Sequence, residues 1–362
     1  MSDRLIVSAV ARGTPIEQVR GTIRQVFERA TNGCPWLRPN DTVLLKVALN
    51  SPDPYPSTTS PLAVQVVAEA LQARGARVIV GDMAGVAHVL LAPDSSHKRT
   101  SRSCYERSGM GTGTSAQFVG FEERGWDAGF FHFHDPKANS WPDGFHLTRL
   151  VREVDHIITL PRLSSHTQGG ITLGFKLAVG YLRTDSRMAF HCDGPFYTSM
   201  KGFVRGTGLT RGLVNSRRFF EKITEINLAV ASRQRLTLCV GTKAQVTLGP
   251  DRAVPIVGLR ACQIAPETGL VFASDNPVAV EAFGLAYLTL LYREAPWLRR
   301  LIQRLVMLPN RQTPALGEVS VWNHPFIRHA LEIGLGSRAF ELDCTGTPDR
   351  LEAELRGLLE LR

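Results

Sequence analysis

The segment Pro161-Arg162-Leu163-Ser164-Ser165-His166-Thr167-Gln168-Gly169-Gly170-Ile171-Thr172-Leu173-Gly174-Phe175-Lys176 holds an imidazole and an ammonium beside paired glycines, directly after the apolar run His156–Leu160. An imidazole exchanges protons near neutral pH or ligates a metal, and an ammonium holds an anion. Gly169 and Gly170 let backbone amides approach a ligand closely. A short helix beginning near Ile171 would turn free N–H groups and its positive end toward an anion, with Thr172 in its first turn. The plain alternative is a tight turn whose His166 and Lys176 bond only locally.

Further candidates surround this loop in the sequence. His191, in Phe190-His191-Cys192-Asp193-Gly194-Pro195, could join His166 as proton donor or second metal ligand, or be an ordinary loop histidine. Lys46 ends an apolar run and precedes Asn50-Ser51-Pro52-Asp53-Pro54-Tyr55-Pro56-Ser57-Thr58-Thr59. That loop could position phosphate or carboxylate oxygens, while Ser57, Thr58 and Thr59 equally suit helix caps. Gly81-Asp82-Met83-Ala84-Gly85 lacks the three-glycine dinucleotide fingerprint, so Asp82 reads as a polar group at a cleft mouth. His132 and His134 would share one face of a strand, with Asp135 next, as metal ligands or as an exposed edge.

Elements able to position these groups alternate in type. Strand-like runs at 5–10, 42–47, 76–80, 156–160, 236–240 and 270–274 are separated by helix-period stretches near 16–30, 61–72, 216–232 and 277–292. This predicts an α/β fold: a mostly parallel sheet with helices on both faces, arranged as two α/β lobes around a cleft. Residues 1–160 would form the N-terminal lobe, with an irregular insertion at about 86–145, and 161–362 the C-terminal lobe carrying the His166 loop. Residues 296–308 read as a basic amphipathic helix that could touch anionic lipid. The commoner arrangement docks Trp297, Leu298, Leu301, Ile302 and Leu305 on the core and leaves Arg299, Arg300 and Arg304 in solvent.

The 362 residues are 43% hydrophobic and carry a net charge of +9, with six scattered cysteines and no Cys-x-x-Cys pair. That cysteine pattern excludes a zinc ribbon and suits buried thiols in a reducing compartment. No apolar run reaches membrane-spanning length and the start has no signal-peptide pattern, so the expected location is cytoplasmic, without membrane association. Without a helix-turn-helix or zinc-finger pattern the basic balance points to a small anionic molecule and not to nucleic acid.

Three segments together resemble the domain-of-unknown-function family numbered 362: Lys46–Gly85, Leu160–Gly180 and Ala273-Ser274-Asp275-Asn276-Pro277-Val278-Ala279. The resemblance implies polar site positions at Lys46, Asp82, His166, Lys176, His191 and Asp275. The family's Lys-Pro-Asn reads Lys46-Val47-Ala48 here, which displaces the asparagine to Asn50. A family aspartate stands as Val240. Many relatives carry a ferredoxin-like module; no such cysteine runs occur here, so no iron–sulfur cluster is expected.

Together these readings predict an enzyme acting on an anionic, carboxylate-bearing small molecule by His-centred proton transfer or metal-assisted chemistry. His166, Lys176 and His191 would carry the reaction. Lys46, Asn50, Ser57, Thr58, Thr59, Asp82, Gly169, Gly170, Thr172 and Asp275 would hold the anion. A divalent transition metal on His166 and His191 is the cofactor candidate. The rivals are an accessory or binding protein of a redox system, alone as a homodimer or with a redox partner, and a histidine-bound metal-dependent oxidase or oxygenase.

Overall fold

Runs buried on both faces and too short for helices belong inside a covered sheet. Thr42–Val47 (β2) and His156–Leu160 (β5) are such runs, and they lie side by side in parallel. The computed structural model describes residues 3–189, 215–254 and 259–361. The strands of its two larger sheets, in chain order, are β1 (Asp3–Ala11), β2, β3 (Arg77–Asp82), β4 (Gln117–Gly120), β5, β6 (Ser164–His166), β7 (Gly170–Thr172), β8 (Gln234–Gly241), β9 (Ala244–Gln245), β10 (Gln263–Ile264), β11 (Thr268–Ser274) and β12 (Phe340–Thr345).

Eight of them form one sheet in the order β12-β1-β11-β8-β5-β2-β3-β4. From β8 to β4 every neighbouring pair is parallel. β11 runs antiparallel to both β8 and β1, and β12 is parallel to β1. The chain steps from β2 to β3 to β4 toward one edge, then returns to lay β5 on the other side of β2 and continues to β8. Such a reversal opens a crevice beyond the carboxyl ends of the two central strands, where open α/β sheets bind ligands. A small second sheet, β7-β6-β9-β10, stands beside that end and carries the His166 hairpin.

Helices α1 (Ile16–Thr31) and α2 (Pro61–Gln72) pack together against the sheet, α2 being the crossover from β2 to β3. The single turn α3 (Gly174–Leu177) follows β7. Helix α4 (Pro277–Glu294) is buried from Val278 to Tyr292, apolar all round as a core helix must be. β11 is buried from Gly269 to Ser274, which needs cover on both faces; α1 and α4 pack against it. Helix α5 (Trp297–Met307) follows. No described helix is long and apolar enough to cross a membrane.

The structure corrects several expectations. Residues 86–145 are not a mere insertion, since they supply the edge strand β4 and a strand, Phe130–Phe133, that pairs with Phe145–Thr148. His132 of that pair faces His146 across it, with ring centroids 5.1 Å apart, and bonds Asp143 O instead of forming a metal face with His134. Strands from both sides of residue 160 belong to the one large sheet. The segment expected to open a helix near Ile171 is strand β7, because Gly170 at φ 72° closes a hairpin against β6. The apolar side of α5 faces solvent.

Candidate functional site

The parallel register sets Lys46 of β2 opposite Gly81 of β3 and Thr159 of β5, so its side chain rises at the crevice next to Asp82. Lys46 Nζ stands 2.8 Å from Asp82 Oδ1 and donates to Val47 O at 2.8 Å. Asp82 also accepts from the amides of Leu49 and Met83, each at 2.8 Å. Burial lowers the Lys46 ammonium to about 8, while Asp82 holds it up. Gly180 closes the corner: a Cβ there would overlap Asp82 Oδ1 and stand 2.6 Å from Lys46 Nζ. This is a buried ion pair whose remaining hydrogen-bonding groups are satisfied, the condition under which such pairs hold a structure together.

Above the pair lies a cavity of about 260 Å³, in the size class of small-molecule sites. Asn50, Asp82, His88, Arg162, His166, Thr172, Lys176, Arg187 and Asp251 supply its polar lining. His166 is 3% exposed at the end of β6. Its Nδ1 accepts the amides of Gln168 at 3.1 Å and Gly169 at 3.2 Å, which leaves Nε2 as the nitrogen that carries the proton in the neutral ring.

Lys176 reaches the cavity from α3. The free amide of that turn is already engaged, since Phe175 N donates to Glu281 Oε2 of α4 at 3.1 Å. The expected anion site at a helix N-terminus is therefore filled by a carboxyl group of the protein itself. Glu281 is fully buried and burial raises its carboxyl to about 8, so it is largely protonated at neutral pH. Lys176 has no hydrogen-bond or ion-pair partner among the described residues. Desolvation, reinforced by the Arg162 and Arg187 guanidiniums, lowers its ammonium to about 7.

Both arginines are buried, 2% and 1% exposed, and neither touches a carboxylate among the described residues. Among the described residues Arg187 donates only to carbonyls: Leu182 at 2.9 Å, Ala84 at 2.5 Å, Met83 at 2.8 Å and Gly180 at 2.7 Å. It thereby ties the loop after β3 to the turn beyond α3. Arg162 donates to the carbonyls of Ser57 and Pro250, and its Nε is buried without a partner among the described residues. Burial lowers each guanidinium to about 10, with nearby carboxylates opposing. Asp251, next to the Pro250 that Arg162 holds, accepts from Asn50 Nδ2 at 2.6 Å and pairs with His88 Nε2 at 3.2 Å.

The structure thus brings together Asn50, Asp82, His166, Thr172 and Lys176, with Lys46 just beneath. Ser57, Thr58 and Thr59 are buried scaffolding. Ser57 Oγ donates to Gln245 Oε1 at 2.7 Å, Thr58 Oγ1 to Asp53 O at 2.9 Å and Thr59 Oγ1 to Leu160 O at 2.5 Å. Gly169 and Gly170 shape the hairpin and do not line the cavity; a Cβ on Gly170 would meet Pro314 O at 2.9 Å. Asp275 is exposed and lies at the other end of the sheet, because antiparallel β11 carries its carboxyl end to where β8 begins. The motif around it starts α4: Asn276 accepts the amides of Val278 at 3.0 Å and Ala279 at 3.3 Å. His191 lies outside the described residues. No group of three His, Cys, Asp or Glu side chains placed to hold a metal occurs among those residues.

Sequence reasoning missed Arg162, Arg187, His88, Asp251 and Glu281. Arg162 had a usable signal, lying two residues beyond a buried strand. His88 follows the Gly81–Gly85 element closely; for Arg187 and Asp251 nothing in the local pattern stood out.

Chemically, cations without carboxylate contacts, beside a histidine with a defined protonation site, can bind an oxyanion and move a proton on it. The fold and crevice define an open-sheet α/β protein with its candidate site at the strand carboxyl ends. Residues 43–286 match the family described as Domain of unknown function (DUF362), and the chain belongs to that family. No curated protein and no solved structure matches it.

Proposed function

We propose that the protein is an enzyme that binds a small carboxylate-bearing molecule in this cavity and transfers a proton on it. The observation that carries the reading is that Arg162, Lys176 and Arg187 line one small cavity while none of them contacts a carboxylate among the described residues. Charge held out of water without a carboxylate in direct contact is costly, and an anionic ligand would supply that direct partner. In the proposed roles, Lys176 and Arg162 hold the anion, His166 Nε2 exchanges the proton, and the His88–Asp251 pair in the same lining receives or returns it. A metal is not needed for these roles; a metal-assisted version would require ligands from outside the described residues.

A substrate-independent assay tests this. The protein is incubated in D2O with a panel of small oxo-, hydroxy- and unsaturated carboxylic acids, and loss of carbon-bound proton signals is followed by NMR. Exchange in at least one acid is expected, and it should vanish in His166→Ala while the fold, checked by circular dichroism, remains. Exchange that persists in His166→Ala, or carboxylate binding unaltered in Lys176→Met, would remove the proposal.

A further inference from the structure

Helix α5 is docked the wrong way round for a helix of a water-soluble surface. Its buried side is formed by Gln303 and Met307, 3% and 6% exposed. Gln303 Oε1 accepts Leu248 N at 2.5 Å, and Arg299 Nη1 donates to Arg260 O at 3.0 Å. The opposite side presents Trp297, Leu298, Leu301, Leu305 and Leu308, exposed by 69%, 51%, 44%, 54% and 62%. At helical spacing these five make one continuous stripe, where scattered single apolar residues would need no explanation.

The charges around the stripe restrict what can cover it. Residues 297–311 contain Arg299, Arg300, Arg304 and Arg311 and no aspartate or glutamate. A second copy meeting this face across a two-fold axis would set the same arginines against one another. A surface that is apolar inside and anionic outside fits both parts at once. We propose that α5 is an interfacial anchor that lays its Trp297–Leu308 stripe into the surface of a bilayer bearing anionic phospholipid headgroups, with the arginines at headgroup level. The amphipathic pattern is that of helices lying in the membrane plane, and the arginine stems can extend to place their charge in the polar layer. Leu248, held by Gln303, is two residues from Pro250 of the cavity wall, so such an anchor would fix the crevice relative to the membrane.

The proposal is independent of the chemistry assigned to the cavity. Its test uses the full chain with vesicles of phosphatidylcholine alone or with added phosphatidylglycerol. Sedimentation should show binding at least roughly tenfold stronger to the anionic vesicles and weakening as salt is raised. Tryptophan emission should shift to the blue on binding, and Trp297→Phe should remove most of that shift. Leu301→Glu with Leu305→Glu should abolish binding without lowering the melting temperature, since both side chains are already in solvent. Equal binding to both vesicle types, no binding, or unchanged binding of the double variant would overturn the assignment. So would a dimer in solution that the same variant dissociates, which would give the stripe to a second copy.

Discussion

Lys46 is fully buried and Lys176 half-buried near one crevice, and they are held in opposite ways. Lys46 is clamped by Asp82 at 2.8 Å and by a backbone carbonyl, with a glycine pressed against the pair. Lys176 has no such clamp among the described residues, and two guanidiniums repel its charge. A buried charge with its counter-ion stabilises the local architecture; one without it is stored unfavourable energy, available to whatever anion arrives. The first corner therefore reads as framework, the second as working surface.

The comparison can be broken most forcefully at Asp82. Asp82→Ala leaves Lys46 charged and unpaired and frees two amides, so unfolding in denaturant should show a loss of about 3–5 kcal/mol. A loss below about 1 kcal/mol would mean that the pair is no framework. Lys176→Met should do the reverse: stability unchanged or raised by up to ~2 kcal/mol, with carboxylate affinity, measured by calorimetry, down roughly 10- to 100-fold. A large loss of stability in this variant would make the two lysines alike.

The same contrast has a pH signature. The folded Lys176 value of about 7 lies below the ordinary lysine value of about 10.4. The unfolded chain thus binds more protons between these limits, and this group's penalty is relieved as pH rises through them. The stability difference between Lys176→Met and the wild type should therefore shrink from pH 7 toward 10, while wild-type anion affinity falls over the same range. Glu281 works in the other sense. Its carboxyl, raised to about 8, favours the folded state below its unfolded value of about 4.3 relative to high pH, a preference lost as pH climbs to 8. Glu281→Gln should flatten that decline, seen as a melting temperature higher than wild type at pH 9.

The smallest effects belong to the far end of the sheet. Asn276→Ala removes a helix cap and should cost about 1 kcal/mol, whereas Asp275→Ala should cost less than about 0.5 kcal/mol. Neither should alter carboxylate binding, and a change with Asp275→Ala would return that residue to the site.

Much of the scaffold was legible. Apolar runs of strand length placed β2, β3 and β5 nearly to the residue, and the crossover rule put Lys46, Asp82 and the His166 loop at one sheet end. Strand direction was not legible in β11: its apolar run is the same read either way, and only the pairing with β8 shows that Asp275 points away from the crevice. Arg162 and Arg187 escaped because their anchors are backbone carbonyls, which no residue pattern marks. At Ile171 a glycine pair suits a helix start and a hairpin alike, and Gly170 at positive φ decides for the turn. The outward stripe of α5 has an ordinary amphipathic period; which side docks depends on Gln303 finding Leu248, a contact distant in sequence.

The glycine at 180 carries a consequence for the history of such chains. With no room for even a methyl group against the acid at 82 and the amine at 46, these three positions cannot drift separately. A descendant that acquires a side chain at 180 must already have surrendered the pair beneath it. The trio should accordingly persist or disappear as a block wherever this crevice is inherited.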